Sequence, residues 1–238
     1  MITIKDLPKS VNKKQTKDNT TKMTTRTPLR RDLADLKQKV YLLGEKCIEA
    51  SELYNSLLEN FTDNLELRFT SLTNEIKTEC KELVDQCFLV LTLQQPLIRD
   101  LRFVIGSLQV ILNLEKIIDQ HSSNITLTSE INIIEDELKY KLITMAKKVL
   151  ELLRTSLTLY LSSNMTLVEQ ITKEQTEVNY LHDLLYKQIL KKVAQESGHK
   201  AQIEAQVLAI IRSLEKVGNL IIGISEQVNY IIIGKSEA

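Results

Sequence analysis

The feature that most constrains this chain is a shortage of residues that stop helices. Between Leu29 and Ala238 there is a single proline, Pro96, and the whole 238-residue sequence holds only six glycines. A β-rich protein of this size needs many more turn residues, so long helices are expected. Periodicity agrees. Ile203, Val207, Ile210, Leu214, Val217, Ile221, Ile224, Val228 and Ile231 follow one another at alternating steps of four and three. That is the 3.5-residue repeat of a left-handed helical bundle.

Breaks divide the chain into six helices. The first is expected over about Asp32–Asn60, starting with Leu33, Leu36, Val40, Leu43 and Cys47 at helical spacing. The second runs to about Leu93 and is closed by Gln94-Gln95-Pro96. Proline disfavours α geometry in the residue before it and has no N–H to continue the ladder. Pro96 then serves as an early residue of helix three, which reaches about Thr126. Ser129-Glu130 reads as the start of helix four, running to about Leu161. Helix five covers about 166–195, with Gly198 as the residue that ends it. Helix six runs from about Lys200 to Ile233.

Leu114-Glu115-Lys116-Ile117 and Leu214-Glu215-Lys216-Val217 lie 100 residues apart, each in the third helix of its half. The fold class is therefore all-α, two tandem three-helix bundles related by an internal repeat. The expected division is a disordered basic tail over 1–28, a first bundle over 29–127 and a second over 128–238. Residues 1–31 hold nine Lys/Arg against Asp6 and Asp18, so the zero net charge hides a +7 segment on a −7 body. Such a tail is a solvated segment or a weak electrostatic anchor to anionic lipid or nucleic acid. The acidic body, with 5% aromatic residues, argues against a nucleic-acid surface, leaving at most a peripheral membrane association.

Glu115 and Glu215 each interrupt an apolar line, Val104-Leu108-Ile111-Glu115-Ile118 in one half and Leu208-Ile211-Glu215-Gly218-Ile222 in the other. A lone charge on such a line is costly unless paired, metal-bound or at a wet edge. Asp119 follows Glu115 by four, placing two carboxylates on one helix face; Asn219 stands at the matching place in the second half.

Catalysis is not suggested. No Gly-rich phosphate loop occurs, and the single Glu-x-x-His, Glu196 to His199, is split by Gly198, so no di-iron bundle site can be assembled. His121, His182 and His199 form no recognisable triad, and Cys47, Cys80 and Cys87 read as small buried hydrophobes of a reducing compartment. No run of 18 apolar residues predicts a membrane span, and no secretion signal is visible.

Gln94-Gln95-Pro96, then Asp100-Leu101-Arg102-Phe103, then Leu114-Glu115-Lys116-Ile117-Ile118-Asp119 resembles the PhoU family, whose pattern runs LQQP, DLR and LERIGD. Arg212 to Asn219, followed by Ile224-Ser225-Glu226, resembles the family's second copy. The resemblance spans roughly 30–235. It implies a cytoplasmic, non-enzymatic accessory protein that negatively regulates a high-affinity phosphate ABC transporter. Its implied partners are the transporter's ATPase subunit and, where one exists, a membrane sensor kinase, and it implies a homodimer. Some members hold iron or zinc clusters on acidic motifs. Carried over, those motifs fall on Glu115 and Asp119 with Thr73 and Lys77 in the first half, and on Glu215 and Asn219 with Gln175 and Asn179 in the second. Glu115, Asp119 and Glu215 alone remain acidic. Asp100 and Arg102 are the candidates for partner contact or for fixing the corner between helices two and three. Apart from the resemblance, a helical scaffold or adaptor without a phosphate role and a surface metal-cluster protein stay open.

Overall fold

The computed structural model describes residues 27–234 and, among them, contains helices and no strand. Six long helices follow in order: α1 Thr27–Glu59, α2 Asp63–Gln94, α3 Ile98–Ser123, α4 Asp136–Ser162, α5 Leu167–Gln195 and α6 His199–Ile233. The predicted all-α architecture of two three-helix units holds, with differences at the helix ends.

Helix α1 begins five residues before the expected start. Thr27 and Pro28, assigned from sequence to the tail, open this helix. Proline suits a first turn, where its missing N–H would have had no intrahelical partner anyway. Leu29 is buried and holds that turn down. The rest of the predicted tail lies outside the described residues. Thr62 caps α2, its hydroxyl accepting from Leu65 N at 3.3 Å, with Asp63 and Glu66 in the first turn. Gln95 closes α2 in the left-handed region, at φ 43°.

Pro96 does not belong to α3. Leu97, in extended geometry, caps the helix and its carbonyl accepts the first bond, from Leu101 N at 2.9 Å. Asp100 lies in the first turn. The helix four start placed at Ser129-Glu130 is also displaced. Ile125–Ile133 form 3₁₀ turns instead, and α4 begins at Asp136. The Thr128 hydroxyl donates to Ile125 O at 2.6 Å and Ser129 to Thr126 O at 2.9 Å. These three-residue back-bonds match the tighter 3₁₀ pitch. Thr128 and Ile131 are buried, so the segment is packed rather than looped out. The expected boundary at 127/128 falls inside it. Gly198 belongs to the start of α6 rather than the end of α5: at φ 68°, ψ −143° it caps α6 in a conformation open chiefly to glycine.

The halves face each other through equivalent helices. α3 packs antiparallel along α6: Gly106 lies against Ile231, Asn113 against Gly223, and the Ser213 hydroxyl donates to Gln120 O at 3.2 Å. α1 packs antiparallel along α4, with Gly44 against Leu157 and the Asn55 amide donating to Ala146 O at 3.3 Å. The duplicated motif thus meets its own copy, as in an isologous dimer fused into one chain. One hydrophobic cluster runs through both units. Each buried Leu, Ile or Val is worth roughly 1.5–3 kcal/mol, whereas exposed ion pairs such as Arg154–Glu52 and Lys147–Glu59 are worth about 0–1 kcal/mol. Packing therefore joins the halves.

Candidate functional site

The paired positions read from sequence do come together. The face of α2 carrying Thr73 and Lys77 looks onto the Glu115/Asp119 face of α3, and the Gln175/Asn179 face of α5 looks onto the Glu215/Asn219 face of α6. What meets there differs between the halves.

In the first half, Lys77 Nζ lies 2.7 Å from Asp119 Oδ1. The ammonium neutralises the carboxylate that a cation would need, and it stands where a metal-binding chain would carry a second acid. Thr73 is buried, its hydroxyl turned back to donate to Thr70 O at 3.0 Å. Glu115 is half-buried and has no ion-pair or hydrogen-bond partner among the described residues.

In the second half, amides replace acids. Gln175 Nε2 donates to Asn179 Oδ1 and to Asn219 Oδ1, each at 3.1 Å. Gln175 is buried, and its Oε1 has no partner among the described residues. That oxygen lies over Gly218, where an added Cβ would come within 3.0 Å of it. Glycine here makes room for the amide cluster. Glu215 turns instead toward His182, with Oε2 3.5 Å from Nε2.

As a donor set for iron or zinc these residues do not fit. An ammonium occupies one face, and neutral amides already bonded to one another occupy the other. Among the described residues no group of three His, Cys, Asp or Glu side chains is placed to hold a metal ion.

Arg102 reaches beyond the α2–α3 corner to α6. Its guanidinium lies against Gly234, which ends α6 at φ 80°, and a Cβ at that position would collide with it. A cation there complements the negative end of the helix dipole. Asp100 is half-buried in the first turn of α3, where an acid suits the positive end. At the corner itself, Gln94 Nε2 donates to Asp32 Oδ2 at 2.9 Å, tying α2 to the start of α1.

Two polar arrangements were not read from sequence. On α5 and α6, His182 adjoins the Tyr186 ring, Arg212 Nη2 donates to the Tyr186 hydroxyl at 2.9 Å, and the guanidinium lies 5.3 Å from that ring's centre. The signal available was the spacing of four between His182 and Tyr186 and of three between Arg212 and Glu215. Inside the first half, His121 is buried, stacked on Tyr54 at 4.4 Å, with Nε2 3.2 Å from Ser51 Oγ. Burial lowers its pKa to about 4, so it is neutral at pH 7. Cys47, Cys80 and Cys87 are free and buried, and burial pushes the Cys80 and Cys87 thiols up to about 12 and 11. Such thiols are poor nucleophiles. No described helix is long and apolar enough to cross a membrane.

The chain is similar to a known family of proteins. Residues 40–126 and 142–228 each match the model of the PhoU domain. A phosphate-specific transport system accessory protein PhoU homolog of Clostridium acetobutylicum is 22% identical over 218 residues, 89% of this chain and 97% of the relative. A homolog of the same name from Deinococcus radiodurans is 26% identical over 171 residues, 70% of this chain and 78% of the relative. The crystal structure of the phosphate transport system regulatory protein PhoU from Streptococcus pneumoniae superposes with a TM-score of 0.76 at 20% identity, covering 88% of this chain and 99% of that one. PhoU from Pseudomonas aeruginosa gives 0.79 at 17% identity, covering 87% and 99%.

Proposed function

This chain belongs to the PhoU family, and from that premise we propose that it is a cytoplasmic regulator of phosphate uptake, restraining a phosphate ABC transporter through protein contacts. The observation that carries the reading is the duplicated helix. Both copies of the Leu-Glu-Lys motif are kept, on helices that pack against each other at the centre of the molecule, in a chain matched nearly end to end by phosphate-transport accessory proteins.

The regulator works by binding rather than by chemistry. Its buried histidine is neutral, its thiols are shielded, and its relatives are named as accessory or regulatory proteins. The partner is the ATP-hydrolysing subunit of the transporter, with a membrane sensor kinase where the cell has one, and the regulator acts as a homodimer. It does so without an iron or zinc cluster, because Lys77 and the Gln175–Asn179–Asn219 amides have taken over the positions that such a cluster would use. Asp100 and Arg102 hold helix ends rather than a partner: Arg102 lies against the end of α6 and Asp100 in the first turn of α3.

Affinity purification from the protein's own cells grown in ample phosphate tests the partner. The ATPase subunit should co-purify with it, and its consistent absence would remove the proposed route of action. Elemental analysis of native protein tests the metal statement. Less than about a tenth of an equivalent of iron or zinc is expected, and about one or more per chain would overturn it.

A further inference from the structure

We propose that the end of the molecule formed by the α2–α3 corner is a docking surface for an anionic phospholipid bilayer. The corner is unusually apolar for a solvent-facing turn. Leu93, Leu97 and Ile98 are 75%, 62% and 78% exposed, and Leu101 continues the stripe one turn up α3. The end of α6 joins them. The contacts of Gly106 with Ile231 and of Arg102 with Gly234 bring that terminus beside the first turns of α3, where Ile233 is also exposed. Exposed large apolar side chains gathered at one place mark a surface built to be covered.

Charge identifies what covers it. The Gln94–Asp32 hydrogen bond holds the start of α1 against the end of α2, so the segment preceding Thr27 joins the molecule at this same end. Residues 1–31 carry nine Lys/Arg against two Asp. Arg30 and Arg31 on the first turn of α1 and Arg99 on the first turn of α3 are exposed beside the apolar stripe. Of the acids nearby, Asp32 is bonded to Gln94 and Asp100 is half-buried. The remainder of the chain has a net charge of −7, which on average repels an anionic surface, so electrostatic attraction to one must come from this cationic end. Leucine and isoleucine side chains flanked by arginines, next to a polybasic segment, match the two-part recognition of a charged bilayer: apolar tips enter the headgroup boundary while cations stay among the phosphates. A second copy of this chain would bring the two cationic ends together, which is unfavourable.

Co-sedimentation of the full chain with vesicles tests this. Phosphatidylcholine vesicles containing about 30 mol% phosphatidylglycerol should pellet at least about ten times more protein than phosphatidylcholine alone, and raising salt from about 0.1 M to about 1 M should remove most of that binding. The double variant Leu97→Ser, Ile98→Ser alters only exposed side chains and should keep the wild-type melting temperature while losing binding by about tenfold. Replacing Lys5, Lys9, Lys13, Lys14 and Lys17 together by Gln should produce a similar loss without touching the described fold. Equal pelleting with both vesicle types would overturn the proposal. So would unchanged binding of the Leu97→Ser, Ile98→Ser variant, which would leave the tail alone as a nonspecific cation. A third overturning result is a wild-type dimer that the same variant splits with vesicle binding intact, which would assign the corner to contact between copies.

Discussion

Acid sensitivity centred on His121 follows from its burial. The imidazole is enclosed, stacked on Tyr54 and in contact with Ser51 Oγ, which itself donates to Cys47 O at 2.8 Å. With its proton so used, the serine oxygen accepts from His121 Nε2–H, leaving Nδ1 bare and without a partner among the described residues. Protonating Nδ1 would bury a charge with nothing to receive it, and burial alone sets the pKa at about 4. In the unfolded chain the same group titrates near 6.5. Between these values the unfolded state binds more protons, so stability is full above about pH 6.5 and is lost as pH falls toward 4. From pH 7 to pH 5 the loss from this one group is about 2 kcal/mol. The assay is urea unfolding at both pH values for wild type and His121→Phe, whose ring fills similar space without titrating. The difference in stability between pH 7 and pH 5 should be smaller in the variant by about 2 kcal/mol. If both proteins lose stability equally over that range, His121 is not held neutral and the packing described around it is wrong.

Three further outcomes are expected. Gly234→Ala places a methyl where the Arg102 guanidinium lies and forces φ 80° on an L side chain, so urea unfolding should show a loss of about 1–3 kcal/mol; a neutral result would free Arg102 from its position at the end of α6. Gln175→Ala removes the donor shared by Asn179 and Asn219 but also a buried oxygen without a partner, so thermal melts should show a modest loss of about 1 kcal/mol, and a loss above about 3 kcal/mol would mean that the cluster has partners beyond those described. With a thiol reagent at pH 8, Cys47, Cys80 and Cys87 should all stay unreacted in the folded protein and all react in denaturant; rapid reaction of any one in the native state would contradict its burial.

Much of this fold was legible because its signals are repetitive. The alternating steps along Ile203–Ile231 fixed α6, and the spacing of two short motifs revealed the two units. The family motif, carried over residue by residue, singled out Lys77 and Asp119, and their side chains pair across α2 and α3. The misplaced ends lay where local chemistry competes with the period. Ile125–Ile133 has apolar residues enough for a helix, but its Thr and Ser hydroxyls bond back three residues and tighten the turn. Thr27-Pro28 looked like tail because the basic, polar composition upstream hid a proline in the one helical turn that tolerates it. Contacts such as Arg102 with Gly234 or His182 with Glu215 join segments far apart in sequence through side-chain direction, which no periodicity specifies. His121 was within reach: Val110, Leu114, Ile117 and His121 step by four, three and four, the spacing of the buried seam.

The proposed restraint on phosphate entry is tested by phosphate uptake in cells lacking this chain. With phosphate plentiful, initial uptake of labelled phosphate should rise in the deletion strain and return to the wild-type rate when the gene is restored. Uptake and its repression by phosphate that are unchanged in the deletion strain would contradict that restraint.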